Sequence, residues 1–482
     1  MNILVLDIGT SSMRGVLYDE DGHTVFTHQV KYSVHSTGKN VEQSPTDWEN
    51  ALVEICRMAV RRGYPIGALS MTSQRSSVIP VDRDGIPLRN AIMWQDTRNA
   101  EIVESLAPYA ERITALTGAR LNTVFSGTKM TWFRRNEPEK YDQTYKLCTI
   151  ADYLTFLITG EFVTDETYGS RSLLMGIRSR KWEPELLETF EVEQEKLCRI
   201  VAPGSVSGTV TREFAEKTGI PADVPLISAG GDQQCGALGQ GIFSDGALAV
   251  TFGTSACLLK HARSVPDNLK GVICGAHAIP GNFVLEGSML TCGAMFDWVR
   301  RTLFMDSCFT IIERLIRTSP PGANGITVIP HFQGRGTPDW NSTVRGGFLN
   351  LSLGTTQADI ARAALESIVY EIVNNIEIME TLGGISDTIH VGGGFTRNAE
   401  LCRILADASG KTVVRGKENT EDTAFGAWMS AAVTLALYPN YAAAFENLHV
   451  SLERTKPNPE YYDVYRRARE RMNNVYTQLY GT

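Results

Sequence analysis

Two carboxylates and three glycine-rich turns are the residues whose type and placing could do chemistry in this chain. Asp7 closes the apolar run Ile3 to Leu6, and Asp232 follows Leu226 to Ala229 and the pair Gly230-Gly231. An acid at the carboxyl end of a strand is where α/β sheets place general bases and ligands for Mg²⁺. Plainer roles stay open: Asp232 as the N-cap of a helix starting at Gln233, and Asp7 as a turn-forming residue. The chain also turns on Gly9-Thr10-Ser11-Ser12, Gly253-Thr254-Ser255 and Gly392-Gly393-Gly394, each at the end of an apolar strand. Glycine lets backbone N–H groups approach an oxyanion and hydroxyls add donors, so such a turn can hold a phosphate. One copy is as readily an ordinary turn, but repetition in both halves points to facing turns that grip one polyphosphate chain.

The familiar phosphate and nucleophile signatures are absent. Gly410-Lys411-Thr412 resembles the end of a P-loop, but Leu405 stands where that motif needs glycine. Gly392-x-Gly394 lacks the third glycine of a dinucleotide fingerprint, because Arg397 occupies it. No His-Glu-x-x-His, Gly-x-Ser-x-Gly or His-Arg-Asp segment occurs. A nucleotide must be held by another route.

These residues need strands and helices to position them. Ile3–Leu6, Arg14–Tyr18 and Thr24–Val30 read as strands, with Asp21-Gly22 as a hairpin turn. Ser44 as N-cap and Pro45 at the first position open a helix with Trp48, Leu52, Ile55 and Ala59 on one face. Residues 247–256 echo residues 3–12, each an apolar strand running into Gly-Thr-Ser, which marks a weak internal repeat and divides the chain near Gly241 to Gly246. Further on, Asp359 to Met379 carries isoleucine or alanine every fourth residue and reads as a long helix. Thr388–Val391 reads as a strand, Thr423–Leu437 as a buried alanine-rich helix, and Tyr461–Leu479 as a charged surface helix.

Composition bounds the partners. The chain has 482 residues, 43% hydrophobic and 21% charged, with a formal net charge of −8. That length suits two large units around a cleft, and the acidic balance offers no general attraction for nucleic acid or an anionic membrane surface. The apolar run before Asp7 is too short for a secretory segment, and the longest apolar stretch, Met429 to Leu437, falls far below the ~20 residues of a bilayer span. A cytoplasmic protein is expected. The 9 cysteines are scattered and never spaced Cys-x-x-Cys, so reduced core residues are expected.

Several segments together resemble one family. They are Asp7-x-Gly9-Thr10-Ser11-Ser12-x-Arg14, Phe125-Ser126-Gly127-Thr128-Lys129, Gly230-Gly231-Asp232-Gln233, Gly347-Phe348-Leu349 before the Asp359 helix, and Gly392-Gly393-Gly394 with Asn398. In this order, across nearly the whole chain, they look like the FGGY carbohydrate kinases. The resemblance implies an α/β fold of two actin-like ATPase (ribonuclease H-like) domains around a central cleft, residues 1–243 on the sugar side and 244–482 on the nucleotide side. It implies ATP and Mg²⁺ as cofactors and a small sugar or polyol as substrate, and leaves open whether the protein forms a homodimer.

Carried over residue by residue, the family's base falls on Asp232, and Asp7 with Asp232 would attend the metal. The first phosphate turn falls on Thr10, Ser11 and Ser12 with Arg14 beside them, the second on Thr254. The adenosine-side contacts fall on Gly293 and Asp297 and on Gly394 and Asn398, where a surface charge for Arg14 and a helix N-cap for Asn398 are the plainer roles. The acceptor side falls on Gln74, Arg75, Trp94, Asp232 and Gln233. Glycerol kinases carry a glutamate after the arginine and a tyrosine before Phe-Ser-Gly-Thr-Lys, where this chain has Ser76 and Val124, so a carboxylate and a phenol are expected to be missing from the pocket. Xylulokinases usually show Met-His after the glutamine, where Arg75-Ser76 stand here, yet Lys456 to Tyr462 resembles a xylulokinase ending. The expected reaction is phosphorylation of a pentulose such as D-xylulose, with glycerol or another polyol second. An actin-like filament former or chaperone-type ATPase without a sugar substrate is the rival of another class.

Overall fold

The strand-forming segments pair into two sheets of the same plan, in a computed structural model that describes residues 1–416, 421–447 and 452–481. In the first lobe β1 (Asn2–Ile8), β2 (Ser12–Tyr18), β3 (Thr24–Lys31), β4 (Ile66–Ser73), β5 (Val206–Thr209) and β6 (Pro225–Gly231) lie in the order β5-β6-β4-β1-β2-β3. In the second, β7 (Leu248–Phe252), β8 (Ala256–Ala262), β9 (Ile273–Ala276), β10 (Phe283–Met289), β11 (Thr388–Gly392), β12 (Thr412–Gly416) and β13 (Leu452–Thr455) lie in the order β9-β10-β8-β7-β11-β12-β13. β1 pairs antiparallel with β2 and parallel with β4, as β7 does with β8 and β11. β4 and β6 are parallel and β6 and β5 antiparallel, matched by β11, β12 and β13. The Gly-Thr-Ser echo read in the sequence is therefore one corner of a complete structural duplication.

The helices that matter to the site are α1 (Pro45–Val60), α2 (Ser126–Asn136), α3 (Asp232–Gly239), α4 (Gly293–Leu303), α5 (Gln357–Gly383), α6 (Ala399–Ser409), α7 (Asp422–Thr434) and α8 (Pro459–Tyr480). Pro45 opens α1 as expected, but Ser44 makes no side-chain cap. Capping proper appears at α5, where Thr356 and Asp359 satisfy one another's backbone N–H groups. α8 is less of a surface helix than its charge implies, since Tyr465, Ala468, Met472 and Tyr476 are buried in the second lobe's core. The cysteines are free, and all are buried except half-buried Cys257 and exposed Cys308. No helix among the described residues is long and apolar enough to cross a membrane.

The lobes do not divide at one point in the chain. α7 is late in the sequence, yet its Ala424, Ala427, Trp428, Met429 and Ala431 pack with Ile3, Val5, Ala68, Ile227 and Ala229 on the back of the first sheet. Ser70 Oγ donates to Ala427 O (2.7 Å) and Trp428 Nε1 to Asp19 O (3.3 Å). α3 lies against α7, giving Cys235 and Leu238 to that cluster and Ala237 to one with Ala249, Leu259 and Val284 of the second sheet. The α3–α7 pair is thus held between the sheets. Its backbones approach closely: a Cβ at Gly426 would stand 1.8 Å from Cys235 O, and one at Gly239 2.0 Å from Asp422 O.

Gly426→Ala should force the two helices apart and lower stability by about 1–3 kcal/mol, the usual cost of overpacking. Urea unfolding of the variant checks this, and a midpoint equal to that of the parent protein would show that the helices separate without cost.

Candidate active site

Three cavities run in sequence between the lobes. The first, about 530 Å³, is walled by Thr10, Gln74, Arg75, Trp94, Asp232 and Gln233 of the first half, and also by Cys257, Glu286, Ser288, Leu290 and Trp340 of the second. The second, about 250 Å³, shares Asp232 and Gln233 with it and adds Asp7, Arg14, Gln240, Thr251, Gly393, Glu421 and Asp422. The third, about 730 Å³, shares Arg14, Gln240, Gly393, Glu421 and Asp422 with the second and is completed by Gly392, Gly394, Thr396, Arg397 and Arg415. Asp232 stands at the junction of the first two, and Asp7 faces only the middle one.

The carboxylates are tuned by their neighbours. β6 ends at Gly231, so Asp232 is the first residue of α3 rather than its N-cap, and its Oδ1 accepts from Gln233 N (2.7 Å). Burial raises the Asp232 pKa, against the pull of Arg75 (3.5 Å) and the Gln233 N–H. Burial, then the charge of Asp232, pushes Asp7 up to about 7, against Arg14. In the first cavity Arg75 also pairs with Glu286 (3.4 Å), and Arg171 pairs with the same carboxylate more closely. Burial works to raise Glu286, but the two guanidinium groups outweigh it and hold it below the ordinary range.

The chain matches the N-terminal domain of the FGGY carbohydrate kinases over residues 2–239 and their C-terminal domain over residues 248–435. It belongs to that family. A glycerol kinase from Burkholderia ambifaria is 33% identical over 458 residues, 91% of this chain and 90% of that protein. A xylulose kinase from Staphylococcus xylosus is 28% identical over 439 residues, 89% and 90%. Among solved structures, a ligand-bound xylulose kinase from Lactobacillus acidophilus superposes with a TM-score of 0.93 at 24% identity, covering 99% of this chain and 98% of that one. Plasmodium falciparum glycerol kinase with ADP gives 0.89 at 25%, covering 99% and 97%. The chain is an ATP-dependent carbohydrate kinase with the family's two-domain fold, and a filament former or chaperone-type ATPase is set aside.

In this kinase the structure gathers Asp7, Thr10, Arg14, Gln74, Arg75, Trp94, Asp232, Gln233 and Gly394 along the cavities. Thr10 faces the first cavity, accepting from Trp94 Nε1 (3.2 Å), and Arg14 is ion-paired to Glu421. Ser11, Ser12 and Thr254 line none of the three, and Thr254 lies on an exposed turn. Gly293 lies behind that turn and donates to Gly253 O (3.0 Å), where a Cβ would come within 2.5 Å of the same oxygen. Asp297 and Asn398, expected beside adenosine, have other partners. Asp297 pairs with Arg300 and Arg301 (both 2.8 Å), and Asn398 Oδ1 caps α6 by accepting from Glu400 N and Leu401 N.

Two expectations about the cavity that holds Arg75 and Trp94 need correction. It is not built by the first half alone, and it has not lost its second carboxylate, because Glu286 on β10 supplies one to Arg75 from across the cleft. A glutamate inside the apolar strand Phe-Val-Leu-Glu-Gly-Ser-Met was the available signal. Arg171 gave none, since nothing in its local pattern distinguishes it.

The Phe-Ser-Gly-Thr-Lys segment supports the first cavity from beneath. Lys129 on α2 is buried and its Nζ donates to Thr123 O and Val124 O (2.6 Å), the loop whose Asn122, Val124 and Phe125 line the first cavity. Burial lowers the lysine pKa to about 7, against the charge of Asp96. The folded state then sheds its proton near pH 7 while the unfolded chain keeps it until near 10.5, so stability rises with pH between those values and is lost as pH falls toward 7. From pH 7.5 to 9 the parent should gain about 1–2 kcal/mol relative to Lys129→Met. Urea titrations at both pH values check this, and parallel pH dependences would refute it.

The glycines of the third turn make separable expectations. Gly393 has φ +88, and a Cβ there would meet Phe252 O at 2.3 Å, so only glycine fits. A Cβ at Gly394 meets nothing within 4 Å and would project into open cavity. Gly394→Val should therefore fold normally yet raise the KM for ATP roughly tenfold or more, about 1.4 kcal/mol. Steady-state kinetics with calorimetry of ATP binding measures it, and unchanged binding by the folded variant would count against a nucleotide at this turn.

Proposed function

We propose that the kinase transfers the γ-phosphoryl group of ATP to a hydroxyl of a small ketose or polyol, with a pentulose such as D-xylulose first and glycerol second. The observation that carries this is the position of Asp232, in the wall common to the acceptor cavity and the middle cavity. In this reading the sugar occupies the first cavity, the transferring phosphoryl group lies in the middle one, and the rest of the nucleotide extends past Gly393 and Gly394.

Asp232 accepts the proton of the attacking hydroxyl. Burial raises its pKa, which strengthens it as a proton acceptor, and the Gln233 N–H and Arg75 hold its carboxylate in place. Arg75, fixed by Glu286, offers donors to sugar hydroxyls, and Gln74, which donates to Gly9 O (3.1 Å), ties this wall to the first glycine turn. Phosphoryl transfer needs alignment and charge stabilisation more than covalent help, and closing the lobes around the reacting groups excludes water.

Mg²⁺ fits this site. Asp7 and Asp232 are hard oxygen donors in the wall of one cavity, burial first and then the charge of Asp232 raising the pKa of Asp7, and no larger acidic or His/Cys cluster suited to a metal occurs among the described residues. That is the donor set of an ion carried mainly by phosphate oxygens and water with one or two carboxylates. Bound there, it would neutralise charge building on the phosphoryl oxygens.

A pentulose is preferred because Ser76 and Val124 are small where glycerol kinases carry larger polar groups, which leaves room in a cavity of about 530 Å³. Relatives named for glycerol and for xylulose are both similar to this chain, so a polyol is the second reading. Coupled ADP release over glycerol, tetritols, pentitols, D-xylulose, L-xylulose and D-ribulose tests it. At least one pentulose should exceed glycerol roughly tenfold in kcat/KM, and glycerol as best substrate would overturn the preference. Asp232→Asn should lower turnover by about 10²–10⁴-fold with nucleotide affinity kept, and more than about a tenth of parental activity at saturating sugar would sink the assignment of the base.

A further inference from the structure

Trp340 is an aromatic side chain outside every motif of the sequence. It lines the acceptor cavity from the second lobe, opposite in origin to Trp94, and it lines neither of the other two cavities. Its backbone lies at φ +53, a conformation that bulky residues adopt at a cost and that persists only where the surroundings enforce it. Here they do. Trp340 N donates to Gly336 O (2.7 Å), its Nε1 donates to Gly271 O (2.7 Å), and Thr337 is joined to Ser288 by two hydrogen bonds of 3.0 Å. Gly336 sits so close to β10 that a Cβ would stand 2.1 Å from Ser288 O.

The loop is also held from behind by α8. Tyr476 OH donates to the carboxylate of Asp339, the residue before Trp340. Arg335 lies 4.2 Å from the centre of the Tyr476 ring and pairs with Glu371 of α5 (2.8 Å) and Asp339 (3.5 Å). With both indole N–H groups engaged, Trp94 by Thr10 and Trp340 by Gly271, the two rings have carbon faces rather than donors to offer a ligand. A polyhydroxylated chain has an apolar C–H face that packs on such a surface while its hydroxyls turn to Arg75, Gln74 and Asp232.

We propose that Trp340 is a specificity-determining residue that packs on the carbon chain of the acceptor beyond its reacting end, and that Tyr476 is a positioning residue that holds it there through Asp339. The proposal rests on the acceptor cavity being the sugar site. A three-carbon polyol that reaches Asp232 and Arg75 has little chain left to meet the ring, whereas a five-carbon ketose has more. The ring therefore contributes to discrimination by length and not to nucleotide use.

The test is kinetic, with Trp340→Phe, Trp340→Ala and Tyr476→Phe compared with the parent on glycerol, a tetritol and D-xylulose, L-xylulose and D-ribulose, at saturating Mg-ATP. Trp340→Ala should lose tenfold or more in kcat/KM for the best five-carbon acceptor, mainly through KM, while glycerol changes less than about threefold and the KM for ATP is unmoved. Trp340→Phe should recover most of the loss, because it keeps an aromatic face. Tyr476→Phe keeps the ring against Arg335 and should show the same selective loss in smaller measure. Equal losses on three- and five-carbon acceptors, or no loss in either tryptophan variant, would overturn the proposal while leaving the kinase reading intact. A parent enzyme that releases ADP no faster with any acceptor would overturn both.

Discussion

The contact between α3 and α7 is the constraint on which the site depends. Gly239 and Gly426 let two helix backbones meet with no side chain between them, and the pair is held by apolar residues of both sheets. α3 begins with Asp232 and ends at the wall of the third cavity with Gly239 and Gln240, while α7 begins with Asp422 in the middle one. Gln240 Nε2 fastens the two by donating to Asp422 Oδ2 (2.9 Å) and to Thr251 Oγ1 (3.1 Å) of β7. The junction of the first two cavities and the wall of the third are therefore opposite ends of one packed unit.

Charge along the cleft follows the same economy. In the first cavity buried Arg171 and half-buried Arg75 share Glu286, and Arg75 also faces Asp232, so each cation has an anion and the pocket keeps ordered donors. In the middle cavity carboxylates outnumber Arg14, and burial first, then the charge of Asp232, raises Asp7 against the pull of that one arginine. Buried like charges are tolerated where function supplies the compensating charge, and less readily elsewhere.

Much of the fold was legible because it rests on local pattern. β1, β2, α5 and β11 come from apolar periodicity ended by Gly, Asp or Thr, and the Gly-Thr-Ser echo reflects a true duplication. Strand-end carboxylates were legible for the same reason, since the turn after a strand is a local signal. What could not be read is what depends on long-range packing. Glu286 reaches Arg75 over 211 residues of sequence, Trp340 enters the first cavity from a loop with no periodicity, and the carboxylate of Asp297 is captured by arginines on its own helix. Motif spacing shows which residues stand at strand ends, but not which of them turn toward the cleft.

The crossing of α7 onto the first sheet has a consequence for synthesis. The chain emerges from the ribosome with β1 to β6 complete well before residue 422, so the face of Ile3, Val5, Ala68 and Ile227 has only Cys235 and Leu238 of α3 beside it, and lacks α7, while the second half is still being made. Exposed apolar sheet of this kind invites association with other nascent chains. The N-terminal lobe therefore completes this cluster only when α7 arrives, and a truncated product ending between the lobes carries a partly uncovered face with it.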